Sequence, residues 1–364
     1  MTDDYDVAVV GAGPAGSATA RRLAQSGCRV ILLERSQFDA PRVGESLAPT
    51  TTALLTELGV WPQFTGLRPL PSYGARSAWG GPEPQSHSHL VSPYGCGWHV
   101  DRVAFDRMLA EAAAAAGAEL RCATACVRVD RDDRWLLSVT EDGRSAGESV
   151  RARVLVDATG RAARIGRQLG GRSTAFDRLV GVAALLDGVD VTEEGFVLVE
   201  TTPDGWWYSA PTAAGRMIGM LMTDTDVCRS LRASIPGHWH QRLAGTRLTA
   251  ARVAGSVVWG PRVFPAASQR LRRAAYDDRW LAVGDAALAV DPISGSGVVR
   301  ALRTARAAAT TILAVLTGGE SRPIAAYEAE RDRECTQYLR ERAYYYSAER
   351  RWDSALFWHR RICI

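Results

Sequence analysis

The apolar run Val7-Ala8-Val9-Val10 breaks into Gly11-Ala12-Gly13-Pro14-Ala15-Gly16, and a second apolar run, Val30-Ile31-Leu32-Leu33, ends on Glu34. A strand, a glycine turn, a helix and a second strand closed by an acid form the fingerprint of a unit that grips the ADP half of a dinucleotide. Gly11 permits the tight turn, Gly13 lets the backbone approach a pyrophosphate, and Gly16 lets the first helix pack on the sheet. The anion then meets unpaired amides at a helix N-terminus, where the macrodipole favours negative charge. Glu34, 18 residues after Gly16, is placed to accept the ribose hydroxyls and to disfavour an extra 2′-phosphate.

Two distant segments extend this signal. Val154-Leu155-Val156-Asp157-Ala158-Thr159-Gly160-Arg161 reads as a buried parallel strand running into a turn that can approach a nucleotide. Trp280-Leu281-Ala282-Val283-Gly284-Asp285 is a further core strand, followed by Asp291-Pro292-Ile293-Ser294-Gly295-Ser296-Gly297 at the start of a long helix. Asp285 is positioned for a ribityl hydroxyl. The amides of Gly295–Val298 can face a flavin carbonyl, where a positive helix end stabilises the reduced anionic ring. The chemistry these segments suit is that of a flavin nucleotide.

The remaining pattern divides the chain. Strands are expected near Asp6–Val10 and Arg29–Glu34, with a helix near Ala15–Ser26 between them. Asp101 is a suitable N-cap for a helix over Arg102–Ala116, whose Phe105, Met108, Leu109, Ala112 and Ala113 share one face. Ala125–Val129 and Trp135–Val139 alternate as in a β-meander. The fold class is α/β: a Rossmann-type FAD-binding domain with an inserted β-rich substrate domain and C-terminal helices. The FAD-binding domain takes residues 1–172, with a loop-rich excursion near 62–97, and resumes over 259–324. Residues 173–258 form the substrate domain, and 325–364 form a helical segment.

These elements together resemble the p-hydroxybenzoate-hydroxylase-like branch of the glutathione-reductase-type flavoproteins, over nearly the whole chain. Within it, Arg42-Val43-Gly44-Glu45-Ser46-Leu47 is similar to the flavin-edge loop of flavin-dependent halogenases, geranylgeranyl reductases and LodB/GoxB-type maturases. The resemblance extends to Trp98-His99-Val100-Asp101-Arg102 and to the aromatic, arginine-rich tail, Tyr344-Tyr345-Tyr346 through Phe357-Trp358-His359. It implies an FAD-dependent monooxygenase that delivers oxygen from a flavin C4a-hydroperoxide to an electron-rich aromatic. The substrate is then a small aromatic or natural-product intermediate, or a peptidyl tryptophan of a partner protein. Lacking a second glycine-rich unit, the chain would take electrons from transiently bound NAD(P)H or from a partner flavin reductase. A halogenase-like enzyme and a geranylgeranyl-type reductase or dehydrogenase are the alternatives. A flavin-bearing scaffold that binds a partner through 325–364 is a third reading.

The expected cofactor-binding set is Gly11, Gly13, Pro14, Ala15, Gly16, Glu34, Arg35, Arg42, Ser46, Arg102, Val127, Ala158, Gly160, Gly284, Asp285, Pro292, Gly295, Ser296 and Gly297. Glu45, Trp207 and Tyr208 are the expected catalytic residues. The last two belong to Trp206-Trp207-Tyr208-Ser209-Ala210-Pro211, which either packs in the core or lines a substrate pocket. Halogenases of the branch rely on a lysine and a W-x-W-x-I-P strand. This chain keeps one Trp of that strand, and none of its 44 basic residues is a lysine.

Composition excludes other classes. A formal charge of +4 with arginines scattered among acids provides no nucleic-acid face. No apolar run is long enough for a membrane span, and no signal peptide is expected ahead of the first strand. Seven cysteines without a C-x-x-C pair read as reduced thiols of a cytoplasmic protein. His87/His89 and His238/His240 lack a third ligand and read as solvated loop histidines, so no metal site is expected.

Overall fold

The computed structural model describes residues 3–141, 144–189, 195–212, 215–276, 279–318 and 322–362. Cys363, counted above among the thiols, lies outside the described residues; the other six cysteines are free.

The strand Asp3–Val10 sits in the middle of a parallel sheet, between Val30–Leu33 and the strand Arg144–Asp157, with Val7 level with both Val30 and Val154. Glu119–Arg121 extends one side and Trp280–Ala282 the other, both parallel. Val7, Ala8 and Val9 and the whole of Val30–Leu33 are buried. That is why these strands read as unbroken apolar runs: helices cover a sheet of this kind on both faces. Thr124–Arg131 and Trp135–Glu141 form the expected meander onto Arg144–Asp157.

Helix Pro14–Gln25 packs against Arg102–Ala115 and Gly297–Leu316. Asp101 caps the helix Arg102–Ala115, its carboxylate accepting from the Val103 and Ala104 amides at 2.8 and 3.1 Å.

A second sheet runs in the order Val257–Val258, Leu179–Asp187, Met217–Asp224, Gly205–Pro211, Phe196–Thr202, Gly74–Ala78, Gln85–Ser88. Two of its strands therefore come from the excursion near 62–97, which was assigned to the FAD-binding domain. Gly74–Ala78 pairs parallel to Phe196–Thr202, and that partner lies over a hundred residues away in sequence. Arg262–Pro265 also joins this sheet, beyond the boundary expected at 258.

Alternation along the second sheet gives it two unlike faces. Trp206, Met220 and Met222 point to one face, where Tyr346, Phe357 and Trp358 of the tail cover them. Trp207, Leu221 and Leu186 point to the other, against Trp239 and Leu243 of the helix Pro236–Ala244. The tail is not one helix to its end: Arg322–Ser347 is followed by a break and then Leu356–Ile362. Arg361, buried, clamps the last helix to the buried Asp224 at 2.6 Å.

Candidate active site

A cavity of about 1090 Å³ lies between the two sheets. Its walls come from the glycine turn, the 42–48 loop, the Asp157–Arg161 turn, the 290–298 turn and the second sheet. This volume is at the upper end for small-molecule sites, as a dinucleotide plus a substrate would need.

One half is built from backbone. Helix Pro14–Gln25 begins at Gly13 with no side-chain cap, and Gly13, Pro14 and Ala15 face the cavity. Gly11 sits at φ +106°, and a Cβ there would stand 2.3 Å from the Ala158 carbonyl oxygen. A Cβ on Gly16 would stand 1.9 Å from the Gly11 oxygen, so the helix lies directly on the turn. Ala158 and Gly160 border the same space, and Asp157 fixes their turn by accepting from the Thr159 and Gly166 amides. Opposite, helix Gly297–Leu316 also starts without a side-chain cap, at Ser296, with Pro292, Gly295, Ser296 and Gly297 on the wall. Two uncapped helix ends facing one cavity form an anion- and carbonyl-binding cradle. At Gly13, Gly160, Gly295 and Gly297 a Cβ would meet no protein atom within 4 Å. The backbone is bare where a cofactor would lie, so the residues present fit FAD.

Side chains refine the expected set. Glu34 is buried; it accepts from the Ala12 amide at 2.9 Å and from Ser36, while bordering the cavity. Arg35 is an exposed rim residue. Asp285 borders the cavity and pairs with Arg161 at 3.4 Å. Gly284 stands behind the wall at φ +57°, where a Cβ would meet Ala15 at 2.7 Å.

Arg42 and Arg102 share the buried Asp106, at 2.7 and 3.1 Å. Arg102 also donates to the Val43 and Gly44 carbonyls, so its guanidinium latches the 42–46 loop. Val127 does not reach the cavity. It is exposed, its carbonyl accepts from Gln168, and Thr124, Ala125 and Cys126 of the same strand form the wall instead.

The other half is apolar: Trp79, Val197, Val199, Trp206, Met222 and Phe264 line it. Trp207, expected as catalytic, is on the reverse face against Trp239, with ring centroids 5.2 Å apart. Strand parity gives its place to Trp206 and Tyr208. The histidines also differ from expectation. His87 and His89 line the cavity from a strand and the turn after it, while His238 and His240 sit on a helix. No His, Cys, Asp or Glu cluster among the described residues could hold a metal.

Where the halves meet, Glu45 is buried. Its Oε2 accepts from the Gly44 amide at 3.0 Å, and its Oε1 has no partner among the described residues. Burial raises its pKa above the usual carboxylate range, against the opposing influence of Tyr208 and Arg102. The Tyr208 hydroxyl lies 2.8 Å from Ser46 Oγ, which lies 2.9 Å from His99 Nδ1. Ser46 thus turns its hydroxyl to these two groups. His99 is fully buried; burial and Arg252 lower its pKa to about 4, so it is neutral. His99 carried only a faint sequence signal, its place beside the Asp101-capped helix.

The sequence profile of the FAD binding domain family matches residues 4–342. Over 363 residues the chain is 30% identical to a protein of Marinomonas mediterranea named as the FAD-dependent oxidoreductase LodB, covering 99% of this chain and 97% of that one. The flavin-dependent halogenase CmlS superposes with a TM-score of 0.87 at 26% identity, covering 99% of this chain and 68% of CmlS. QhpG, a peptidyl tryptophan dihydroxylase essential for tryptophylquinone cofactor biogenesis, shares the fold with a TM-score of 0.77 at 23% identity, over 99% and 79% of the two chains. No helix among the described residues is long and apolar enough to cross a membrane. With a cradle of bare glycines, two open helix ends and a profile match across nearly its whole length, the chain belongs to the FAD-binding-domain family of flavin-dependent oxidoreductases.

Proposed function

We propose that the protein is an FAD-dependent monooxygenase that hydroxylates an electron-rich aromatic, with an indole or a tryptophan of a partner protein as the favoured substrate. The observation that carries this reading is a cavity whose nucleotide cradle continues into a wall of Trp79, Trp206, Tyr208, Met222 and Phe264. Aromatic and thioether side chains suit a flat, electron-rich ring. QhpG, a peptidyl tryptophan dihydroxylase of the same fold, supplies the likeness to tryptophan-modifying chemistry.

Gly11, Gly13, Pro14, Ala15, Glu34, Ala158, Gly160, Asp285, Pro292, Gly295, Ser296 and Gly297 would hold FAD, with Gly16 and Gly284 setting the close packing behind them. Bound and reduced, FAD would supply the oxygen-activating chemistry, and the chain supplies orientation and water exclusion. Trp206 and the methionines seat the ring. Glu45 and Tyr208 provide polar atoms beside it, where a proton must leave as the oxygenated ring regains aromaticity. The absence of lysine disfavours the halogenase alternative.

The test is product mass. Holoprotein given NAD(P)H, or a flavin reductase with NADH, together with ¹⁸O₂ and indole or a tryptophan-containing peptide, is expected to yield product carrying one labelled oxygen. Product without label, or substrate reduced anaerobically, overturns the oxygenase reading in favour of a reductase.

A further inference from the structure

The second sheet ends in an open edge beside the cavity. Gln85–Ser88 is its last strand, and among the described residues it pairs only with Gly74–Ala78. All four of its residues are exposed. None of them is an arginine, an acid or a proline, the residue types that commonly guard an edge against further pairing.

The register says which backbone groups point outward. The His89 amide donates to the Tyr73 carbonyl at 2.8 Å, two residues beyond the Ala75–His87 pair. Bonded and non-bonded pairs alternate along an antiparallel ladder, so Ala75–His87 and Ser77–Gln85 exchange hydrogen bonds, while Gly74–Ser88 and Arg76–Ser86 do not. Ser86 and Ser88 therefore turn their amides and carbonyls away from the sheet. Neither makes a backbone bond outside the ladder among the described residues. The side chains follow the same parity: Gln85, His87 and His89 line the cavity, whereas Ser86 and Ser88 do not.

Exposed aromatic and apolar side chains flank this edge. Trp79, one residue past Gly74–Ala78, lines the cavity and donates its indole N–H to the Tyr345 carbonyl at 2.8 Å. That bond brings Tyr344 and Tyr345 to the same cavity, with Tyr344 74% exposed. At the other end of the edge, Leu90 and Val91 are 89 and 92% exposed. An apolar patch alone accepts any apolar surface, but a row of free amides and carbonyls accepts an extended backbone. A strand laid antiparallel on Gln85–Ser88 turns the side chain opposite His87 to the cavity face, because directly opposed residues share a face. The residues on either side of it then meet Ser86 and Ser88, where the free groups are.

We propose that the edge Gln85–Ser88 captures an extended segment of the partner polypeptide by strand addition, so that one tryptophan side chain, opposite His87, enters the cavity while its two neighbours bond to Ser86 and Ser88. The inference rests on the proposed function for the identity of the ring. The docking mode comes from the edge, its register and its place at the cavity. The partner must then offer its tryptophan on an extended stretch whose own backbone groups are unpaired, such as a loop or a terminus, and not on a helix.

The test titrates FAD-loaded protein by calorimetry with three probes. They are indole, a capped nine-residue Ser/Thr peptide with one central tryptophan, and that peptide N-methylated at the two residues flanking the tryptophan. The unmethylated peptide is expected to bind at least about tenfold more tightly than either of the others, a difference of about 1.4 kcal/mol. Ser86→Pro removes an outward amide and leaves the ladder to Gly74–Ala78 intact. It is expected to weaken the unmethylated peptide at least about fivefold, with indole, which needs only the cavity, bound as in wild type. Equal binding of the two peptides to wild type overturns the proposal, and this comparison stands even where Ser86→Pro folds poorly. Undiminished peptide affinity in a folded Ser86→Pro protein also overturns it. So does a dimer in light scattering that Ser86→Pro abolishes, because the edge then belongs to a second copy of the chain. Methylation-sensitive peptide binding without ¹⁸O in the product removes the oxygenase reading alone and supports strand addition. Labelled product from indole with equal binding of the two peptides removes strand addition alone.

Discussion

The Tyr346 hydroxyl donates to Asp291 Oδ2 at 2.7 Å, tying the C-terminal helix to the turn that opens the helix Gly297–Leu316. The Tyr346 hydroxyl oxygen also accepts the Trp206 indole N–H at 3.1 Å, so one buried phenol joins tail, turn and second sheet. Asp291 in turn accepts from the Ile293 amide and fixes the turn from which Gly295 and Ser296 face the cavity. Tyr346→Phe deletes two buried hydrogen bonds and leaves the indole N–H and a carboxylate oxygen short of partners. A loss of about 1–3 kcal/mol per unsatisfied group is expected. Thermal unfolding should show a lower midpoint, and FAD should leave the variant faster during gel filtration.

Gly13→Ala and Gly16→Ala should fail differently. Gly13 has extended backbone, and a Cβ there meets only cavity. The protein should fold with an unchanged apo melting temperature and bind FAD at least about tenfold more weakly, a difference of 1.4 kcal/mol. Gly16→Ala drives a methyl into the Gly11 carbonyl, so both stability and FAD binding should fall. Melting curves and FAD titrations of the two variants separate these outcomes.

Trp206→Ala and Trp207→Ala test the parity of their strand. Trp207 is wholly packed against Trp239 and away from the cavity. Its truncation should cost about 3–5 kcal/mol of stability with little change in probe affinity for the surviving folded protein. Trp206→Ala should enlarge the substrate half of the cavity and weaken indole binding. Denaturant unfolding paired with probe titration checks both.

That pair also shows where the sequence stops being legible. The nucleotide cradle was readable because each glycine there answers a local demand: a positive φ at Gly11, a backbone contact at Gly16. The aromatic run Trp206-Trp207-Tyr208 contains no such local cue. Which parity faces the cavity depends on which helix covers the back of the sheet, and Trp239 decides that from a distance. The strand Gly74–Ala78 was hidden for a similar reason, since its partner begins at Phe196 and its own residues, small apart from Arg76, carry no apolar alternation. The Glu45 loop was recognisable, but the Ser46–His99 and Ser46–Tyr208 bonds require three remote segments to be placed together. Val127 was placed on the cofactor within a correctly expected meander, but the strand bulges there: Cys126 pairs with Val139 and Arg128 with Ser138, and Val127 between them is left unpaired and exposed.

Glu45→Gln should stabilise the protein at neutral pH. Burial raises the Glu45 pKa in the folded state, with Tyr208 and Arg102 opposing it, so its charge is disfavoured there relative to the unfolded chain. The stability it permits is fully present below its unfolded pKa and declines as pH rises through the higher folded value. An amide keeps the acceptor for the Gly44 N–H without the charge. Melting temperatures across pH should show a shallower decline above the carboxylate range in the variant, and an equal decline in both proteins would contradict this account.

His99 produces the opposite slope. Burial, then Arg252, then His89 lower its folded pKa from 6.5 to about 4, while the Gly195 backbone favours the proton. Between those values the unfolded chain binds a proton that the folded protein refuses, so stability rises with pH across that window. The stability is fully present above about pH 6.5 and is lost as pH falls towards 4, amounting to on the order of 3 kcal/mol. Ser46 Oγ faces Nδ1 and does not titrate, so the slope belongs to the imidazole and its charged neighbours. His99→Gln removes the titrating group while keeping an acceptor for Ser46. Urea unfolding at pH 7 and pH 4.5 should show a wild-type loss that is largely absent from the variant. Equal losses would place the acid sensitivity in carboxylates elsewhere in the chain.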